Sequence, residues 1–198
     1  MTPAPAPEPL ACALFLVAAM SVAGVAHTLW LRWPRSRRFA APLDGGRKFR
    51  GRALFGDNKT WRGLLVLPPA AAAAFGAFGL LRPSLPAWMQ AGLWANGPAS
   101  YALLGFACGL AFMVAELPNS FLKRQIDVAP GGSPRNAGLA VLCFVLDRVD
   151  SAVGVLGVIS LVLPVRPATW IWVLLIGPGV HLLFSLWLHR LGVKSRWA

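Results

Sequence analysis

Residues 138–162, GLAVLCFVLDRVDSAVGVLGVISLV, form an apolar run long enough to cross a bilayer, yet Asp147, Arg148 and Asp150 sit in its middle. A spanning helix needs about 20 mostly apolar residues, and a charge at its centre costs about 3 kcal/mol on insertion scales. Asp147 and Asp150 are three residues apart, so a helix puts both carboxylates on one face while Arg148 points elsewhere. Like charges that close repel unless a cation lies between them. Charged residues inside a span usually mark a functional site facing a polar cavity. The alternative is an ion-paired interior cluster that only fixes helix register.

The rest of the chain fits a membrane setting. Only 13% of its 198 residues are charged and 57% are hydrophobic, with a mean hydropathy of +0.60. An average soluble domain is about 25% charged. The reading is an all-α membrane protein of about five transmembrane helices, at 10–31, 63–81, 99–117, 138–162 and 168–189. They form one integral membrane domain over 10–198, behind a disordered, Pro/Ala-rich segment 1–9. That segment has no Lys or Arg, so 10–31 reads as a retained span rather than a cleaved signal. Pro68-Pro69 and Gly177-Pro178-Gly179 are expected kinks, and Gly105 and Gly109 a close-approach GxxxG pair. Cys12, Cys108 and Cys143 lie in apolar segments with no His or Cys partner nearby, so neither a disulfide framework nor a zinc site is indicated and they read as small buried hydrophobes.

The net charge of +12 does not indicate nucleic acid, because ten of the 19 basic residues fall between Arg32 and Arg62, beside spans. The positive-inside rule puts that loop, and the loop 118–137, in the cytoplasm. It puts the N-terminus outside and the C-terminus inside, in a protein of the cytoplasmic (inner) membrane. Both loops carry the polar chemistry, so an active site is expected in a polar cavity on the cytoplasmic side.

The first loop, residues 42–65, interleaves Gly45, Gly46, Gly51, Gly56 and Gly63 with Arg47, Lys48, Arg50, Arg52, Lys59 and Arg62. Glycine backbone can approach an anion closely, and Lys or Arg can neutralise it. It is not a P-loop: Asp57-Asn58 separates Gly56 from Lys59, and no strand precedes it. A topology loop with a tight turn is the plainer alternative. The second loop begins Glu116-Leu-Pro-Asn-Ser-Phe-Leu-Lys-Arg124. Pro118 is expected to break the span or start a new helix carrying Ser120, Lys123 and Arg124. Glu116 beside Lys123 and Arg124 could be a surface ion pair only. Carboxylates near a cationic, glycine-rich wall suit Mg²⁺ and a polyphosphate, and hence phosphoryl or nucleotidyl transfer. His27 and His181 lie within spans and read as bundle residues.

DGGRKFRGRALFGDNKTWRG (44–63) closely resembles the first cytoplasmic loop of the CDP-archaeol synthases, the archaeal CTP-dependent cytidylyltransferases. ELPNSFLKR (116–124) followed by LDRVD (146–150) resembles that family's second half. It also resembles the S-x-x-K-R…D-R-x-D signature of the phosphatidate cytidylyltransferases. Glu116 stands where the archaeal enzymes have Asp. Gln125-Ile126-Asp127 and Pro130-Gly131-Gly132 replace the Lys-Asp and His-Gly-Gly elements of the phosphatidate enzymes. The Pro/Ala/Arg-rich composition resembles a bacterial-type member. The resemblance implies that CTP and a phosphorylated membrane lipid, archaetidic- or phosphatidic-acid-like, give a CDP-lipid and pyrophosphate. It implies Mg²⁺ on Asp147, Asp150 and Glu116, and catalytic roles for Asp147, Asp150, Lys123 and Arg124. Substrate would meet Gly45, Gly46, Asp57, Asn58, Lys59, Thr60, Arg62, Ser120 and Arg148. A homodimer is compatible with all of this.

Two other readings stand beside it. A small transporter or proton pathway would use Asp147 and Asp150 but leaves 44–63 unexplained. A catalytically inactive lipid-binding homologue would keep the cavity without the chemistry.

Overall fold

The computed structural model describes residues 5–190; residues 1–4 of the segment expected to be disordered, and the C-terminus expected inside, lie outside them. Helix α1 (Pro9–Arg32) starts on proline, and the Glu8 side chain accepts from the N–H groups of Leu10 and Ala11 at 3.2 and 2.6 Å. This satisfies donors that a helix start leaves open. A 3-10 turn, Pro34–Phe39, leads to a hairpin of β1 (Lys48–Phe49) and β2 (Arg52–Ala53). The hairpin turns on Arg50 and Gly51, with φ of 50° and 80°, the left-handed pair that suits strand twist. Then come α2 (Trp61–Leu81), the single turn α3 (Ala87–Gln90), α4 (Pro98–Gln125), α5 (Ala137–Val162) and α6 (Pro167–Arg190).

The five long helices form a closed ring in the order α1, α2, α4, α5, α6 and back to α1. Small residues set the closest seams. A Cβ on Gly109 would sit 2.6 Å from Pro68 Cα, and one on Gly105 2.7 Å from Phe75 Cβ, so the GxxxG face of α4 lies on α2. Gly154 of α5 lies in the same way against Ala111 and Ala115 of α4. One end of the ring is filled by aromatic residues. Phe15 meets Phe75 and Phe78 edge-on at 5.1 Å and Tyr101 at 5.8 Å. Tyr101 donates its hydroxyl to Trp94 O, and Trp94 donates its indole N–H to Pro164 O.

Outward, large apolar side chains stay bare: Leu103 is 74% and Leu161 84% exposed. Such a surface is costly in water and neutral in hydrocarbon. Four of the described helices, α1, α2 with its following turn, α4 and α6, are long and apolar enough to cross a membrane. The fourth expected span, α5, has the length at 26 residues but carries Asp147, Arg148 and Asp150. Cys12, Cys108 and Cys143 are free and buried, as expected.

Pro118 does not end the third span. α4 runs through it to Gln125, just as α2 runs through Pro68-Pro69 and α6 through Pro178. Proline removes one intrahelical hydrogen bond, and packed neighbours in a membrane bundle tolerate that loss. Lys123 and Arg124 are therefore on the same helix as Glu116 rather than on a separate one.

Candidate functional site

Continuity of α4 puts Glu116, Asn119, Ser120 and Lys123 at i, i+3, i+4 and i+7, a single helical face. That face meets the Asp147/Asp150 face of antiparallel α5. Asn119 Nδ2 donates to Asp147 Oδ1 at 2.7 Å and to Asp150 Oδ2 at 3.0 Å, so one amide bridges both carboxylates. The Lys123 ammonium contacts both oxygens of Asp147. Asp150 Oδ1 also accepts from the Ser151 N–H at 2.7 Å. The repulsion expected between the two acids is thus offset by one cation and one amide from the neighbouring helix.

Lys59, just before α2, pairs with Glu116 on the same wall. Among the described residues no three His, Cys, Asp or Glu side chains group so as to hold a metal ion. Asp147 and Asp150 stand as a pair, and Glu116 is engaged by Lys59. Arg124 is buried, and its Nε and Nη1 have no hydrogen-bond partner among the described residues. Buried guanidinium donors left without a partner are costly unless an anion joins them. Arg148 lies over the Phe144 ring, 3.3 Å from its centroid, and donates to Phe144 O at 2.8 Å.

These groups line a cavity of about 680 Å³ inside the ring, at the end opposite the aromatic plug. Its wall includes Asn58, Lys59, Thr60, Ser120, Lys123 and Arg124, with Asp147, Arg148, Asp150, Glu116 and Asn119 beside them. The remaining sequence-derived candidates stand elsewhere. Asp57 is exposed and outside the wall. Arg62 turns away, donating from Nη2 to Leu31 O and Ser36 Oγ at 2.5 Å each. Gly45 and Gly46 are exposed turn residues with φ of 59° and 76°, which their lack of a side chain permits.

The turn at Gly45-Gly46 serves Asp44, a residue without an assigned role in the sequence reading. Its buried carboxylate accepts from the N–H groups of Gly46 and Phe55 at 2.9 Å and of Gly56 at 3.3 Å. Burial pushes the Asp44 carboxyl up, but these donors together outweigh it and hold it below the ordinary carboxylate range. Asp44 therefore folds the loop that delivers Asn58 and Lys59. Arg52 fastens the same loop to the end of α4, donating to both oxygens of Asp127 and to Gln125 O. Gly56 leaves room for Arg124: a Cβ there would lie 3.4 Å from Arg124 Cδ.

Asn119 takes no role from the sequence alone, although it stands within ELPNSFLKR. Its spacing from Glu116 and Lys123 was the available signal, hidden by reading Pro118 as a break. His27 and His181, read as bundle residues, line the cavity wall.

A CDP-archaeol synthase from Halobacterium salinarum is 34% identical over 160 residues, covering 78% of this chain and 81% of the relative. One from Thermococcus onnurineus is 34% identical over 161 residues, covering the same shares. The expectation of a bacterial-type member gains no support from these relatives. The fold matches a solved structure described as an intramembrane enzyme for archaeal membrane lipid biosynthesis. Its TM-score is 0.61 at 23% identity, covering 88% of this chain and 92% of that one. Residues 39–198, all of the cavity wall except the part contributed by α1, match the CarS-like family described as CDP-archaeol synthase, and the chain belongs to that family.

Proposed function

We propose that this chain transfers the cytidylyl group of CTP to the phosphate of a membrane lipid, archaetidic- or phosphatidic-acid-like, releasing pyrophosphate. A lipid phosphate oxygen forms the new bond to the α-phosphorus of CTP, and the bond from that phosphorus to the bridging oxygen of pyrophosphate breaks. Membership of the CDP-archaeol synthase family supports this reading over a transporter or an inactive homologue. The observation that carries it is the Asp147–Asn119–Asp150 bridge facing Lys123, Arg124 and Lys59 in one cavity.

Two carboxylates steadied by one amide fit Mg²⁺, which binds through one or two carboxylates and takes its other oxygens from substrate phosphates and water. When bound, Mg²⁺ would neutralise charge on the triphosphate and on the departing pyrophosphate. Asp147 and Asp150 would hold it. Lys123, now on Asp147, is placed to share its ammonium with a phosphate, and Arg124 offers the free donors of a buried guanidinium. Arg148, Asn58, Lys59, Thr60 and Ser120 line the same wall and would contact the nucleotide or lipid headgroup. Transfer of this kind depends on positioning and charge stabilisation, and a rigid helix pair supplies both. The cavity opens to the cytoplasm in this reading, where CTP is available.

The test is an assay of the purified protein in detergent with CTP, Mg²⁺ and either phosphatidic or archaetidic acid, following pyrophosphate and CDP-lipid. Product from one lipid settles reaction and substrate class together. An Asp150→Asn protein with full activity removes the metal role.

A further inference from the structure

The corner where α1 ends takes no part in the reaction above, yet it is firmly built. Arg32, Arg35, Arg37 and Arg38 are exposed there. None is in a salt bridge among the described residues, and no acid stands between Glu8 and Asp44. Three rings support them. Trp30 packs against Trp33 at 5.5 Å and stacks on Phe39 at 5.8 Å, and Arg35 lies 5.6 Å from the centre of the Trp33 ring. Buried Ser36 pins the 3-10 turn: its hydroxyl donates to Trp33 O at 2.7 Å and accepts from Arg62 of α2 at 2.5 Å.

Beside this corner, on the outside of the bundle between α1 and α2, runs a shallow apolar trough lined by Ala26, Leu29, Trp30, Trp33 and Val66, with Arg32 at its edge. Leu29 in its floor is 60% exposed. Positive charge alone would orient the chain in a membrane. Orientation needs neither a braced turn nor three packed rings next to an apolar trough.

We propose that this corner is a binding site for an anionic phospholipid of the bilayer, separate from the catalytic cavity. The phosphodiester would sit against Arg32 and Arg35 and one hydrocarbon chain in the trough. Charge complementarity selects the occupant: four arginines free of salt bridges at the end of a span attract anionic headgroups, and Trp30 and Trp33 stand at the same helix end, a position such residues favour at membrane interfaces. A zwitterionic lipid fills the trough equally well but leaves the arginines without a net counter-charge.

The test uses the full chain in neutral detergent, with phosphatidylglycerol or phosphatidylcholine added and bound lipid counted by native mass spectrometry. The wild type is expected to retain phosphatidylglycerol about tenfold better than phosphatidylcholine, with the preference fading as salt rises. The variant R32Q/R35Q/R37Q/R38Q is expected to lose the preference while it elutes as a single monodisperse peak with wild-type helical content, which reports an intact fold. Trp33→Ala with Phe39→Ala keeps every charge, and so the orientation, and is expected to weaken retention of phosphatidylglycerol. Equal retention of both lipids by the wild type, or an unchanged preference in both variants, overturns the proposal. So does competition by soluble glycerol phosphate as effective as by phosphatidylglycerol, which would make the corner a phosphate site without a lipid. None of these readouts depends on turnover, so the proposal and the assigned reaction can fail separately.

Discussion

Lys123 of α4 and Asp147 of α5 are paired across the helix seam, one ammonium touching both carboxylate oxygens. Lys123 is nearly enclosed while Asp147 remains 43% exposed toward the cavity. The pair is therefore open on the side of the cavity. Lys123→Met is expected to lower cytidylyl transfer about a hundredfold or more, the scale seen when one charge-stabilising donor is removed. An activity assay at saturating CTP checks this. A variant within a few fold of wild type would leave Lys123 with a packing role only.

Asn119 is expected to matter through the two acids it joins. In Asn119→Leu the carboxylates lose their common donor and repel more strongly. The predicted result is a kcat lowered about tenfold to a hundredfold and a higher Mg²⁺ requirement. A magnesium titration of initial rate reads both. An unchanged titration would assign the amide to helix packing.

The α2–α4 seam predicts a stability contrast between glycines. Gly109→Val would drive its side chain into Pro68 and the Leu67 carbonyl, and overpacking of this kind costs about 1–3 kcal/mol or more. Gly157→Ala meets nothing within 4 Å and is expected to be neutral or slightly stabilising, since alanine favours a helix over glycine by about 1 kcal/mol. Melting in detergent should separate the two clearly.

Asp44 predicts an acid-sensitive loop. Its carboxyl is held below the unfolded value by the backbone donors that overcome its burial. The stabilisation is complete above the unfolded pKa and fades as pH falls through the lower folded one, below about pH 4. Hydrogen exchange across 44–60 should stay slow from neutral pH down to that range and then accelerate. Asp44→Asn keeps one acceptor oxygen, and its exchange should be faster at neutral pH and lose this transition.

Much of this arrangement was legible in the residues. The triplet Asp147, Arg148 and Asp150 inside an apolar run announced a polar interior. The glycine spacing at 105 and 109 announced a close helix contact, and its partner is the stretch of α2 from Leu67 to Phe75. Local signals failed where a residue's neighbour comes from another element. Pro118 reads as a break on propensity alone, because nothing in its own segment shows that packing on α2 and α5 holds the helix together. Arg62 and the Gly45-Gly46 turn read as ligand contacts in a basic, glycine-rich loop, and the structure adds to each a structural contact that no local signal announces. Their structural duties depend on Ser36, Leu31 and Asp44, whose positions only the fold supplies. Asn119 was overlooked for the same reason: an amide acquires a role only when two acids from the next helix stand opposite it.

The antiparallel pairing of α4 and α5 has a consequence for biogenesis. Entering lipid by itself, α5 would expose three charges, each costing about 3 kcal/mol at the centre of a span. The ribosome makes α4 immediately beforehand, and α4 carries the lysine and the amide that receive two of those charges. The two helices are thus suited to leave the translocon as a preassembled hairpin, with Lys123 and Asn119 as escorts for a segment whose own charges oppose its insertion. In this light the order of helices in the gene is part of how a charged cavity reaches the membrane.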